Sequence, residues 1–168
     1  MIFLNSGEKR RRRPGLEARK VSIELCKNID MARRVVRIVL DTNVLISGIV
    51  FGGKPREILE MVRNKELLGI TSPVLLAELG DVLSKKIMYP KPKVLQVGKK
   101  MRKILRVVHP IKSINAVADD DDNRVLEVAI EGKCEYVVTG DKDLLDLKSY
   151  GGVRILTPAE FLDEELSL

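Results

Sequence analysis

The sequence predicts a single α/β domain in which a parallel sheet carries helices on both faces. Two observations predict it. Short β-branched runs alternate with amphipathic segments from residue 35 to the C-terminus, the pattern that strand–helix–strand units with right-handed crossovers produce. The 168 residues, 45% of them apolar, suffice for one compact core and leave no room for a second full domain.

Taken in order, Val35 to Leu40 is an apolar run without helical spacing and reads as a buried strand that ends at Asp41. Thr42 to Val50 continues as a short helical or loop segment. Gly52-Gly53 breaks the chain, Pro55 suits a first helical position, and Ile58, Leu59, Met61 and Val62 give the following helix its apolar face. Leu67 to Thr71 is a second strand. Ser72, with Pro73 behind it, opens a helix through Leu83. Pro90 and Pro92 punctuate the chain before a basic helix from about Lys93, and Arg106 to Pro110 looks like a strand edge. Asp119 to Asp122 start a helix with a buried stripe through Leu126 and Ala129. Tyr136 to Thr139 and Val153 to Leu156 are strands, and Thr157-Pro158 starts a last helix.

The net charge of +6 is unevenly placed. Residues 1 to 34 hold 10 Lys/Arg and 4 Asp/Glu, leaving 20 of each for the rest of the chain. That first stretch, with Arg10-Arg11-Arg12-Arg13-Pro14, reads as a disordered tail. It is either a basic arm for nucleic acid or the product of an upstream start codon; a start at Met31 is favoured, because Met31-Ala32-Arg33-Arg34 leads directly into the first strand. Between Asp81 and Asp119 the chain carries ten Lys/Arg and no acid, so a basic arm precedes an acidic knot. No apolar run approaches the ~20 residues of a spanning helix and the N-terminus lacks a signal-peptide core, so a cytoplasmic protein with no membrane partner is expected. Cys26 and Cys134 match no zinc or disulfide spacing and are expected to be inert.

Ligands of open parallel sheets bind beyond the carboxyl ends of the strands, where Asp41 and Asp141 both fall. Glu78 lies in a helix with Val74, Leu75 and Val82 as its neighbours three and four residues away; a carboxylate on such a face needs a cation, a hydrogen-bond partner or an escape to solvent. Asp122 begins the next helix on the same face as Leu126 and Ala129, and the four adjacent acids exceed what capping requires. Hard oxygen ligands without histidine or cysteine suit Mg²⁺ or Mn²⁺. The single histidine, His109, leaves no triad or paired-histidine chemistry. No phosphate-binding glycine motif follows a strand, and the acidic knot fails as a calcium loop because Arg124 and Ile130 stand at its sixth and twelfth positions.

Val39-Leu40-Asp41-Thr42-Asn43-Val44-Leu45, Leu76-Ala77-Glu78-Leu79, Asp119 to Asn123 with Leu126 and Ala129, and Val138-Thr139-Gly140-Asp141 with Leu144-Leu145 together resemble the PIN-domain family. The closing Ile155-Leu156-Thr157-Pro158-Ala159-Glu160-Phe161 resembles a subgroup of VapC-like toxin components of toxin–antitoxin systems. The resemblance spans residue 35 to the C-terminus. It implies a three-layer α/β/α sandwich and a Mg²⁺- or Mn²⁺-dependent endoribonuclease acting on single-stranded RNA. It carries the four acids to Asp41, Glu78, Asp122 and Asp141 as catalytic and metal-binding residues, with Asp119, Asp121 or Asp143 able to share those roles and Asn43 and Thr139 orienting the carboxylates. An antitoxin protein and a homodimer are implied as partners. Lys85, Lys86, Lys99, Lys100, Arg102 and Lys103 are the candidates for holding RNA phosphates, and Tyr89 for stacking on a base. Two alternatives remain at this point. A haloacid-dehalogenase-like phosphotransferase also uses an Asp after the first strand, but its second Asp is Asn43 here; the other is a catalytically silent module that binds RNA or protein.

Overall fold

A computed structural model describes residues 35–165. Strand β1 (Val36–Leu40) runs into a short helix α1 (Thr42–Ile46) that ends in one π-helical turn (Ser47–Phe51). Then follow α2 (Gly53–Arg63), β2 (Leu67–Thr71), α3 (Pro73–Lys85), α4 (Lys91–Ile104), β3 (Arg106–Val107), α5 (Asp120–Glu131) and β4 (Tyr136–Val138). The chain closes with α6 (Lys142–Leu147), β5 (Ser149–Tyr150), β6 (Val153–Leu156) and α7 (Pro158–Glu165).

The six strands form one sheet in the order β3-β2-β1-β4-β6-β5, parallel except for β5 against β6. Val39 of β1 pairs with Ile70 of β2 on one side and with Val137 of β4 on the other. Ile38, Val39, Val137 and Val138 are wholly buried, as central parallel strands covered on both faces should be. One face packs Ile38 and Leu40 against Leu45 of α1, Ile58 of α2, Leu79 and Leu83 of α3 and Phe161 of α7. The other packs Val39, Ile70, Val137 and Ile155 against Leu126 and Val128 of α5 and Leu144 of α6. Two apolar layers about one sheet make the three-layer α/β/α sandwich. Because β1 continues to β2 on one side while β4 lies on the other, the order reverses between β1 and β4. A crevice opens at their carboxyl ends.

Local chemistry explains where the elements depart from expectation. Ser72 caps α3 as expected, accepting from the Leu75 amide at 3.3 Å. Pro55 is not the first helical residue, since α2 already starts at Gly53. The basic helix begins at Lys91, because Pro92 fits the first turn, where an N–H would have no acceptor. The expected strand edge shrinks to Arg106–Val107; Val108 still donates to Thr71 O at 2.8 Å, but Pro110 has no N–H to extend the ladder. Tyr136 to Thr139 loses its last residue to the loop, where the Thr139 amide still donates to Leu156 O. Helix α6 and strand β5 were not expected, and β5 makes the sheet mixed at one edge. Its hairpin turns on Gly151 and Gly152, both at positive φ, the backbone a two-residue primed turn demands. The tail reading and the Met31 start fall on residues 1–34, outside the described residues, as does Cys26.

Gly69 of β2 shows how tightly the sheet meets α2. A Cβ there would stand 2.5 Å from Leu105 Cδ2 and 2.9 Å from Val62 Cγ1. Gly69→Ala is therefore expected to destabilise the fold by about 1–3 kcal/mol, the usual cost of overpacking, read as a lower urea midpoint at unchanged slope. An unchanged midpoint would mean that these side chains give way freely.

Candidate metal centre

Asp41 leaves β1 at the crevice. Its N–H donates to Val138 O at 3.0 Å, which ties the end of β1 to β4, and its side chain is only 5% exposed. Burial pushes the carboxyl above the usual aspartate range and the charge of Asp141 adds to the rise, while bonds from the Thr139 hydroxyl and from the Asn43 and Thr42 amides oppose it. Thr139, wholly buried, donates its hydroxyl to Asp41 Oδ2 at 2.9 Å and accepts from the Asp141 amide at 2.9 Å. One side chain thus sets the places of both strand-end acids. Asp141 in turn caps α6, its Oδ1 accepting from the Asp143 amide at 2.8 Å.

Glu78 approaches from α3. Its Oε2 accepts from Thr42 Oγ1 at 2.9 Å, and burial, followed by the charges of Asp121, Asp41 and Asp119, raises its pKa despite that bond. The apolar face expected around it is incomplete, since Val74 is 47% exposed. Glu78 stands at the rim of a buried face rather than within one.

Of the four consecutive aspartates, Asp122 turns inward. It lies three and four residues before Val125 and Leu126, both buried, whereas Asp119, Asp120 and Asp121 are exposed. Asp119 caps α5 by accepting from the Asp121 amide at 2.8 Å, and Asp121 pairs with Arg124 at 3.7 Å. The Asp122 carboxyl is pushed up to about 7 by burial and by the charges of Asp141, Asp119, Asp41 and Asp143. Carboxylate oxygens of Asp122, Asp141 and Asp143 lie within 4.8 Å of one another. This trio is the tightest acidic group among the described residues; Asp41 and Glu78 stand behind it, coupled by charge and by the two threonines.

The donor set fits a hard divalent cation. Every atom offered is a carboxylate oxygen, burial together with the neighbouring negative charges raises the pKa of Asp41, Glu78 and Asp122, and a dication is what would relieve that. Among the described residues softer ligands are not at hand: His109 is exposed beyond β3, and burial pushes the Cys134 thiol up to about 12, leaving it inert as expected.

The family model for the PIN domain matches residues 37–143, a span that takes in Asp41, Glu78 and Asp122 and ends on the Asp141–Asp143 pair. The chain belongs to the PIN-domain family. An uncharacterized protein of Methanocaldococcus jannaschii is 30% identical over 147 residues, covering 80% of this chain and 94% of that protein. The crystal structure of VapBC2 from Rickettsia felis, bound to a DNA fragment from their promoter, shares the fold at 17% identity with a TM-score of 0.50, over 71% of this chain and 97% of that one. Membership of the PIN-domain family sets aside the haloacid-dehalogenase alternative.

In this PIN domain Asn43 bears on Asp41 through its backbone amide, while its side chain is exposed and bonds to none of the acids among the described residues. Two polar residues were missed from the sequence. Thr42 is wholly buried beneath Glu78. Asn123, 3% exposed, donates to Val117 O and Asp119 O and accepts from the Ala116 and Val117 amides, at 2.8 to 3.1 Å, so it fastens the loop before α5 to the acid-bearing turn. For Asn123 a signal existed in its place beside Asp122 on an otherwise apolar face. For Thr42 there was none locally, since its partner is 36 residues away.

The basic arm of the PIN domain is not one patch. Lys91, Lys99 and Arg102 line a groove of about 700 Å³ between α3 and α4, floored by Ala77, Gly80 and Gly98. Lys100 and Lys103 face the other way, joining Arg56 and Arg63 around a cavity of about 490 Å³ beside α2. Lys85 pairs with Asp81 at 3.1 Å, and Lys86 is the exposed residue that closes α3. Tyr89 packs against the core on the α1 side, and the Lys93 ammonium sits 3.6 Å from its ring centroid, so that face is covered and does not offer a free stacking platform. No helix among the described residues is long and apolar enough to cross a membrane.

Proposed function

We propose that this PIN domain is a divalent-metal-dependent endoribonuclease that hydrolyses phosphodiester bonds of single-stranded RNA, working as the toxin component of a toxin–antitoxin pair. The observation that carries the reading is the convergence of Asp122, Asp141 and Asp143 within 4.8 Å at the reversal point of the sheet, with Asp41 bound to the same group through Thr139. Asp122, Asp141 and Asp143, with Asp41 and Glu78 behind them, would hold Mg²⁺ or Mn²⁺. The bound ion supplies the positive charge that lowers the pKa of a water and stabilises charge building on a phosphodiester.

The chain's own residues do the rest. Thr139 fixes the relative places of Asp41 and Asp141 without adding charge, so the acids stay close in spite of their repulsion. The cations of α4 lie apart from the acids in the sequence and hold the phosphates: Lys99 and Arg102, with Lys91, on the groove side, and Lys100 and Lys103 on the other. Such phosphate binding brings affinity that falls with salt and little sequence preference. The toxin role and an antitoxin partner are supported by the closing Ile155 to Phe161 motif and by the likeness of this fold to the VapBC2 protein; a homodimer is part of the proposal because the family resemblance implies one.

The reading is tested by incubating purified protein with end-labelled single-stranded RNA in Mn²⁺, Mg²⁺ or EDTA. Cleavage with either metal and none in EDTA is expected; cleavage that survives EDTA would overturn the metal dependence, and RNA left intact in every condition would favour the silent binding module. In the same assay, charge reversal at Lys99 and Arg102 should raise KM and flatten the log–log salt dependence of binding by about 0.7 for each phosphate that is no longer neutralised.

A further inference from the structure

We infer that Thr42 is a positioning residue for Glu78: its hydroxyl holds the Glu78 carboxylate in the crevice and so completes the ligand set. The inference rests on the metal-dependent nuclease reading and adds to it a residue that the strand-end geometry does not reveal. Thr42 is the first residue of α1 and is wholly buried. Val44, Leu45 and Ile46 of the same helix are packed into the core, and a valine, of nearly the same shape as threonine, would fill the space of Thr42. The hydroxyl is the part the core does not need.

That hydroxyl donates to Glu78 Oε2 at 2.9 Å. Among the described residues it is the one hydrogen-bond donor to Glu78, and no cation pairs with that carboxylate. Asp41, by contrast, is held by the Thr139 hydroxyl on its side chain and by its own amide on Val138 O, and Asp141 by its own amide on Thr139 and by the Asp143 amide on its Oδ1. Glu78, which reaches the crevice from another element on a longer side chain, therefore depends on that one bond for its place. The two threonines act in series: Thr42 joins α3 to the end of β1, and Thr139 joins the end of β1 to the end of β4. A neutral hydroxyl suits this task, since it satisfies a half-buried carboxylate without offsetting the negative charge that attracts a cation.

Thr42→Val removes the donor at constant shape, and Thr42→Ser restores it with less packing. Three quantities decide the matter: kcat and KM on RNA, Mn²⁺ affinity from the EPR signal of the free ion, and the melting temperature without metal. Thr42→Val should lower kcat and weaken Mn²⁺ binding by about 10- to 100-fold, the range for outer partners of metal ligands, with KM for RNA little changed. Thr42→Ser should recover most of both. In a Glu78→Gln background Thr42→Val should cost nothing further, because the bond it removes no longer holds a ligand.

Full activity and Mn²⁺ affinity in Thr42→Val would overturn the inference and leave the nuclease reading standing. So would a serine variant as impaired as the valine one, or losses that multiply with those of Glu78→Gln, since either would assign Thr42 to packing. A wild type that neither cleaves RNA nor binds Mn²⁺ would overturn both readings together.

Discussion

Under the proposed function, Asp41→Asn is expected to lower the rate of RNA cleavage by more than about 10²-fold, beyond the loss caused by removing an outer partner of a metal ligand, while raising the melting temperature of the metal-free protein. The two effects have one cause. Asp41 is 5% exposed, burial raises its pKa, and the neighbouring Asp141 raises it further, so its negative charge is held in place against its own solvation. An asparagine can keep its oxygen toward the Thr139 hydroxyl, which goes on donating to it, and put its NH₂ in the place of the other carboxylate oxygen. The charge disappears and the bonding survives. A rise of about 3 °C, roughly the worth of 1 kcal/mol in a domain of this size, should be seen by thermal denaturation in EDTA. Undiminished cleavage would remove Asp41 from the chemistry; a clear fall in melting temperature would show that the carboxylate holds the strands together rather than being held by them. Stability yielded at a working site is a common trade.

The stability of the metal-free protein should fall as pH rises from about 4 to about 7, with Asp122 contributing the largest resolved part. Its carboxyl stands at about 7 in the folded protein against the ordinary 3.8. Between those values the folded state keeps a proton that the unfolded chain has released, so the stabilisation is complete below pH 4 and is lost as pH passes through 7. Asp41 and Glu78, also raised, act with the same sign. Mn²⁺ must displace that proton, so the rise in melting temperature it produces should grow between pH 5 and pH 7.5. Asp122→Asn should flatten the metal-free profile and remove most of the Mn²⁺ effect. Melting temperatures across this range, with and without Mn²⁺, check it; a variant with the wild-type slope would show that the inward turn of Asp122 has no electrostatic cost.

How far the sequence reached depended on whether the cause was local. The strand-end acids were legible because a buried strand such as Val36–Leu40 or Tyr136–Val138 announces its own end, and the sheet brings those ends together. Asp122 was one choice among adjacent aspartates until α5 had a definite phase, which Val125 and Leu126 fix. Glu78 was singled out for an apolar face that Val74 does not supply; what makes it unusual is Thr42, and a bond between residues 36 apart leaves no trace in either one's neighbourhood. The basic arm looked like one surface because a string of residues has no faces, whereas a helix of 3.6 residues per turn sends Lys99 and Arg102 one way and Lys100 and Lys103 another. Strand β5 and helix α6 are too short to show a period, although Gly151-Gly152 carried the turn signal.

The bond between Asp41 and Thr139 spans 98 residues of chain. On the ribosome, where synthesis proceeds from the N-terminus, the first acid therefore emerges long before the strand that orients it. Parallel pairing across such a separation is slow to close. A nascent or partly folded chain thus carries the acids apart, mutually unrepelled and without a shared cation site. Cleaving power, under the proposed mechanism, arises only when β4 docks beside β1 and brings the strand-end acids together, so a cell that makes this protein would meet an active enzyme only after that step.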